Sequence, residues 1–200
     1  MPIRDLLWAC PVCRSFASIR DAGRGREACD ACHATLTRGP GATIAVRPAG
    51  GTTQHHTAAE LVDRMPPVSA MPLDNGRLGP APALVRLART TRPVRDGTDY
   101  LGRAELFGPA VRATVTLDDH TLAVGIPENP IVWPLASITA VQPSSSTIQI
   151  NSEHHPLASF RFLHHSVRLW EEALQHRIRL VHQRAGRGPI VQFHPHIRFA

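Results

Sequence analysis

The sequence predicts a mainly β protein with one C-terminal helix, of the α+β class, preceded by a small metal-bound lobe. Three observations predict it. All four cysteines form two Cys-x-x-Cys pairs with fifteen residues between them. Short segments of alternating apolar and polar residues follow one another through residues 97–162. One amphipathic helical pattern then covers residues 166–185.

The cysteine pairs, Cys10 with Cys13 and Cys29 with Cys32, have the spacing of a structural zinc site. Zn²⁺ binds four ligands in a tetrahedron, and each pair supplies two thiolates from one turn of backbone. Four protein thiolates leave no coordination position for water or substrate, so we predict one structural Zn²⁺ per chain. Disulfides and a redox-active pair are the alternatives, but the sequence shows neither a secretory signal nor a βαβ setting.

Residues 1–48 resemble a zinc ribbon. Residues 14–20 alternate as a strand does, and residues 41–46 supply a further strand. Many ribbons have Gly after each cysteine pair, whereas Arg14 and His33 occupy those positions here. A lobe of this size buries too little apolar surface to fold alone, so we expect metal binding to decide whether it is folded.

All 22 basic residues are arginine, and the formal net charge is +6. The arginine, with abundant alanine, glycine and proline, is typical of a GC-rich bacterial genome, which weakens the basic charge as evidence for nucleic-acid binding. No apolar run is long enough to span a bilayer, and the first residues do not form a signal peptide. We therefore predict a cytoplasmic protein without a transmembrane segment.

Residues 49–96 read as a Pro/Gly-rich connector. Within it, Thr57-Ala58-Ala59-Glu60 is a capping box that predicts a short helix over residues 57–65. An arginine-rich stretch, residues 86–95, is interpreted as a solvated linker face; contact with phosphates or acidic head groups is the alternative.

Residues 97–200 are predicted to form about seven strands, a helix over residues 166–185 and an extended tail. Ser166 is the predicted N-cap of this helix. Its apolar face recurs at steps of three and four residues and comprises Val167, Trp170, Leu174, Ile178 and Val181.

This order resembles a pleckstrin-homology-like (PH-like) or GRAM-like domain. Residues 111–124 resemble an early hairpin of that family, Pro134-Leu135-Ala136-Ser137-Ile138 its habitual Pro-Leu-x-x-Ile stretch, and residues 169–174 its closing helix. The resemblance implies a small β-barrel, capped by the amphipathic helix, that binds peptides or serves as an assembly module. Phosphoinositides are not expected, because the loop predicted after the first strand, residues 108–110, has only Arg112 nearby.

A second resemblance concerns the ribbon, the turn at residues 142–146 and the segment 188–197. Together they resemble uncharacterised bacterial sequences associated with lysophospholipid acyltransferases. The chain has no His-x-x-x-x-Asp acyltransferase motif. The resemblance therefore implies an accessory to lipid metabolism, with a membrane-associated enzyme as partner, and not the catalyst.

No residue pattern predicts catalysis. The paired histidines, such as His154-His155 and His164-His165, point to opposite faces when they lie in a strand and rarely chelate one ion. Ser144-Ser145-Ser146 lacks the glycines of a nucleophile elbow. We predict a non-catalytic interaction or adaptor protein that binds a protein partner or a membrane surface.

The alternative is a transcription-related zinc ribbon that binds nucleic acid. Four arginines would then contact phosphates: Arg14, Arg20, Arg24 and Arg26. Aromatic residues for stacking on bases are scarce nearby, and only Trp8 and Phe16 qualify.

Overall fold

The computed structural model of the chain describes residues 2–71, 73, 75–127, 129–144 and 146–187, with the backbone alone at 90–94, 96 and 99–104. The chain divides into two compact units. The first unit comprises residues up to 74 together with 164–176, and the second comprises residues 75–163 together with those from 177 onward. The predicted bounds of the ribbon and of the PH-like region stay predictions, whereas the predicted connector is corrected at residues 78–96.

The first unit contains a five-stranded antiparallel sheet in the order β1-β2-β3-β4-β5. Its strands are β1 (Ile19–Asp21), β2 (Arg26–Cys29), β3 (Thr35–Arg38), β4 (Ile44–Arg47) and β5 (Gln54–His56). Leu36 in β3 and Val46 in β4 are partners across the sheet, and both are buried. The strand predicted from residue 14 begins only at Ile19, because Ala17 has a positive φ of 48° that a strand cannot contain.

A short helix, α1 (Ala58–Asp63), follows the sheet of the first unit. The Thr57 side chain accepts a hydrogen bond from the Glu60 N–H, and the Glu60 carboxylate accepts one from the Thr57 N–H. This capping box is the one the sequence predicts, and the short helix is confirmed.

The second unit contains an eight-stranded antiparallel sheet in the order β10-β9-β8-β6-β13-β12-β11, with β7 paired to β6. Its strands are β6 (Leu78–Asp96), β7 (Asp99–Phe107), β8 (Val111–Leu117), β9 (Thr121–Gly125), β10 (Ile131–Pro134), β11 (Ile138–Pro143), β12 (Ile148–Ser152) and β13 (Ala158–Phe162). The two end strands, β10 and β11, are consecutive in the chain and joined by one turn of 3₁₀ helix, Leu135–Ser137. The sheet is therefore nearly closed, as in a small barrel.

Trp133 of β10 is one of the largest side chains in this sheet's core. It is buried, and its ring meets that of Phe160 edge-on, with centroids 5.5 Å apart. Leu135 and Ile138, the apolar members of the Pro-Leu-x-x-Ile stretch, are buried as well. The stretch thus turns the chain from one end of the sheet to the other.

The prediction of a connector is wrong for residues 78–96, which form the long strand β6. The prolines of this segment suggested irregular structure, but a register shift between Leu78 and Ala81 accommodates Pro80. Beyond the bulge, β6 pairs with β8 on one side and β13 on the other. The stretch 86–95 is accordingly strand and not linker.

The loop at residues 108–110, on which the expectation about phosphoinositides depends, follows β7 and not the first strand of this sheet, and the expectation itself stays a prediction. The first strand of the nearly closed sheet is β6. More than three residues separate the part of β6 that pairs with β8 from β8 itself. The chain instead forms a hairpin in which β6 and β7 pair with each other from Ala88 to Phe107. This hairpin carries Arg89 and Arg95, and both side chains are exposed.

The C-terminal helix, α2 (Val167–Arg184), begins where the sequence predicts. The Ser166 hydroxyl accepts a hydrogen bond from the Leu169 N–H, which confirms it as the N-cap. The side chains of Trp170, Leu174 and Ile178 are buried. With a mainly β chain and one long C-terminal helix, the predicted fold class is confirmed.

Two charged residues of α2 are buried although neither belongs to the predicted apolar face. Glu171 is buried beside Arg168, with 2.7 Å between Arg168 Nη1 and Glu171 Oε2. Arg177 is buried within the second unit and donates hydrogen bonds to the carbonyl oxygens of Leu117 and Gly76. The predicted tail and the segment 188–197 lie outside the described residues.

Candidate metal centre

The first cysteine pair lies in a tight turn of the first unit. The Arg14 N–H donates to the Cys10 carbonyl oxygen at 2.8 Å, and the Cys10 N–H donates to the Ser15 carbonyl oxygen at 2.9 Å. The Val12 N–H points at the Cys10 Sγ, 3.4 Å away. The turn brings both thiols of the pair to one side of the backbone.

The second pair repeats this geometry. The His33 N–H donates to the Cys29 carbonyl oxygen at 2.9 Å, and the Cys29 N–H donates to the Ala34 carbonyl oxygen at 2.9 Å. His33 and Arg14 occupy equivalent positions, with φ of 59° and 62°. These are the positions at which ribbons often have Gly, and both adopt the left-handed conformation at a cost of about 1–3 kcal/mol each.

The four thiols face one another across the two turns. The Sγ atoms of Cys10 and Cys32 are 3.7 Å apart, as are those of Cys13 and Cys29, and all four lie within 4.8 Å of one another. A disulfide would need about 2.05 Å, and the four cysteines are free. Ligands about 2.3 Å from a tetrahedral zinc would be separated by about 3.8 Å, so the donor set fits this ion.

The electrostatics of the cluster disfavour four thiolates without a cation. Burial raises the pKa of Cys10, and burial raises that of Cys32 as well. Burial also acts to raise the pKa of Cys29, but hydrogen bonds from Ser18 and from the Cys32 and Ala31 N–H groups outweigh it and lower the value to about 7. A bound divalent cation would offset the negative charge that the cluster otherwise concentrates.

Ser18 is a member of this site that sequence reasoning missed. Its buried hydroxyl lies 3.2 Å from the Cys29 Sγ and 2.8 Å from the Ser15 carbonyl oxygen. Nothing in the local sequence distinguishes it from the other serines, since its role depends on β1 lying beside the second turn.

The four arginines considered as phosphate contacts do not form one group. Arg20 donates to the Ala17 carbonyl oxygen, and its Nε lies 3.3 Å from Asp30 Oδ2. Arg14 is exposed next to the first cysteine turn. Arg24 and Arg26 are exposed and line one open cavity of about 270 Å³.

The described residues contain no other group of three or more His, Cys, Asp or Glu placed to hold a metal ion. Ser144, one of the three consecutive serines, lies within 2.7 Å of the Thr147 hydroxyl and closes a turn between strands. Of the helices in the described part of the chain, none has the length and apolar composition to cross a membrane.

No family model matches the sequence, and no curated protein matches it. Among solved structures, the N-terminal PH domain of the human ARAP2 protein is similar to this chain at 9% identity and a TM-score of 0.35. The match covers 63% of this chain and 96% of that domain. A TM-score this low carries no argument, so the fold class rests on the strand order and the helix described above.

Proposed function

We propose that this chain is a non-catalytic cytoplasmic adaptor whose first unit is held together by one structural Zn²⁺. The carrying observation is the set of four thiols within 4.8 Å of one another. Cys10, Cys13, Cys29 and Cys32 would be the ligands. With four protein thiolates the coordination shell is complete, which supports a role in folding and not in catalysis.

A protein partner or a membrane surface is the proposed target. The mainly β architecture with a closing helix supports this, since such small domains commonly serve as binding modules. The resemblance of some segments to sequences associated with lysophospholipid acyltransferases favours a membrane-associated enzyme of lipid metabolism as partner, and that preference rests on sequence resemblance alone.

Nucleic-acid binding is the alternative, and one observation weighs against it. Trp8, one of two aromatic residues near the arginines, is 7% exposed, and its indole N–H donates to the Pro66 carbonyl oxygen at 2.8 Å. A side chain held in this way is not available to stack on a base. Arg20 is likewise engaged with neighbouring groups of the first unit.

The test combines metal analysis with binding to defined probes. Freshly purified, reduced protein should contain one zinc per chain. A random-sequence DNA duplex and a single strand should bind weakly, whereas crosslinking in the native host should recover a protein partner. The partner should be lost when Cys10→Ser and Cys29→Ser unfold the first unit.

Two outcomes would overturn the proposal. Purified protein without zinc would contradict the proposed structural metal site. Tight DNA binding with a steep salt dependence that Arg24→Gln and Arg26→Gln abolish would favour the alternative.

Vesicles of phosphatidylcholine with and without a phosphoinositide form a third probe, since the β6–β7 hairpin presents exposed arginines.

A further inference from the structure

Charged side chains surround the open cavity that Arg24 and Arg26 line in the first unit. The other charged residues of its lining are Arg4, Arg38, Asp21 and Glu27. Four arginines and two acidic residues thus line about 270 Å³ of space.

The two carboxylates are already used within the first unit. Glu27 accepts hydrogen bonds from the backbone N–H and from Nη1 of Arg4, at 2.7 and 2.9 Å. Asp21 accepts one from the Gly23 N–H at 2.8 Å. By contrast, the structure gives the side chains of Arg24 and Arg26 no ion pair or hydrogen bond with any residue that it describes. The cavity therefore carries uncompensated positive charge.

A second open cavity shares lining residues with the first and is mainly apolar. It measures about 420 Å³, and its lining includes Leu6, Ile44 and Ala58. Ile3 and Arg38 line both cavities, so the two cavities are neighbours in the first unit. Its volume exceeds the roughly 150 Å³ of an apolar cavity that holds benzene, which leaves room for an aliphatic or aromatic side chain.

We propose that the two cavities together, here called the ribbon groove, bind a segment of a partner protein in which an acidic side chain neighbours an apolar one. The acidic group would pair with Arg24 and Arg26, and the apolar side chain would enter the cavity lined by Leu6 and Ile44. This inference rests on the proposed adaptor function and adds where the partner binds and what chemistry it presents.

Charge and apolarity together favour a peptide over nucleic acid. A phosphate backbone satisfies arginines but brings no apolar group for the second cavity. A base would need an exposed aromatic partner in the groove, and neither Trp8 nor Phe16 lines either cavity. A peptide supplies an anionic group and an apolar side chain within a few residues.

The experiment selects random dodecapeptides displayed on phage against the intact, zinc-loaded protein. Enriched peptides should share an acidic residue within a few positions of an apolar one. Their affinity, measured by fluorescence anisotropy of the synthetic peptides, should fall at least tenfold for Arg24→Glu/Arg26→Glu. It should also fall for Ala42→Asp, which introduces a charge into the apolar cavity at an exposed residue whose positive φ Asp tolerates.

The matched control is Arg47→Glu/Arg64→Glu, which changes the charge equally at exposed arginines outside the groove. Peptide affinity should stay within twofold for this control. Circular dichroism and zinc content establish that every variant is folded. The proposal is overturned if no such pattern is enriched, or if the control lowers affinity as much as the groove variants.

Two further results separate this inference from the proposed function. A partner crosslinked equally by wild type and by Arg24→Glu/Arg26→Glu would refute the ribbon groove and leave the adaptor function intact. Binding of the random DNA duplex, lost with the same variant and without peptide enrichment, would refute both.

Discussion

Arg4→Met removes the cation from a carboxylate that the first unit buries. Glu27 is only 5% exposed, and its main polar contacts are the Arg4 N–H and the Arg4 guanidinium. Methionine has much of the side-chain volume of arginine, and its backbone N–H can still donate to Glu27. The measured loss of stability therefore reports mainly the removal of the positive charge. Breaking a buried ion pair costs about 3–5 kcal/mol, and the partial exposure of Arg4 reduces this to about 2–4 kcal/mol.

The loss should depend on pH. Burial raises the pKa of Glu27, while the N–H and the charge of Arg4 lower it. Without Arg4 the folded-state pKa rises further, so the variant loses stability as pH increases above the unfolded value of about 4.3. Because Glu27 can take up a proton instead of remaining charged, the loss of stability cannot exceed about 5 kcal/mol at pH 8 and about 2 kcal/mol at pH 5.5.

Guanidinium denaturation followed by circular dichroism, with the same excess of zinc at both pH values, measures this difference. The double variant Arg4→Met/Glu27→Gln should recover most of the loss at pH 8. Arg47→Met, at an exposed arginine of the same sheet, should change the free energy of unfolding by less than about 0.5 kcal/mol. A loss that is equal at both pH values, or no larger than that of Arg47→Met, would refute the reasoning.

Three other predictions concern α2 and the second unit. Trp170→Ala should lower the free energy of unfolding by about 3–5 kcal/mol because the ring is fully buried, and an unchanged denaturation midpoint would contradict this. Arg177→Met should cost about 1–3 kcal/mol, since the carbonyl oxygen of buried Leu117 and that of exposed Gly76 lose a charged donor, whereas exposed Arg179→Met should cost almost nothing. Burial acts to raise the pKa of Asp118, but hydrogen bonds from the N–H groups and hydroxyl of its own turn outweigh it and lower the pKa. The free energy of unfolding of the wild type should therefore exceed that of Asp118→Asn at pH 5, and the difference should shrink as pH falls to 3. A difference that stays constant would show that these hydrogen bonds do not depend on the charge of Asp118.

The cysteine cluster could be predicted from sequence because its determinants are local. Each Cys-x-x-Cys pair forms its own turn, and fifteen intervening residues are enough for a hairpin to bring the two turns together. The contribution of Ser18 could not be predicted, since it depends on strand β1 passing beside Cys29. The left-handed conformation of Arg14 and His33 could not be predicted, because neither residue is glycine, which usually indicates a positive φ.

Strand β6 could not be predicted for a related reason. The sequence of β6, which is rich in proline and arginine, does not show the local pattern of a strand. The strand is nevertheless paired with β8 on one side and with β13 on the other. Such pairing joins residues far apart in the sequence, and local propensity does not report it. Burial of Arg177 and Glu171 escaped prediction similarly, because each is stabilised by specific polar partners and not by apolar character.

X-ray absorption at the zinc edge of the purified, reduced protein tests the central claim most directly. We expect one zinc per chain with four sulfur ligands at about 2.3 Å and no nitrogen or oxygen ligand. A shell containing nitrogen or oxygen, or protein that folds fully without zinc, would contradict it.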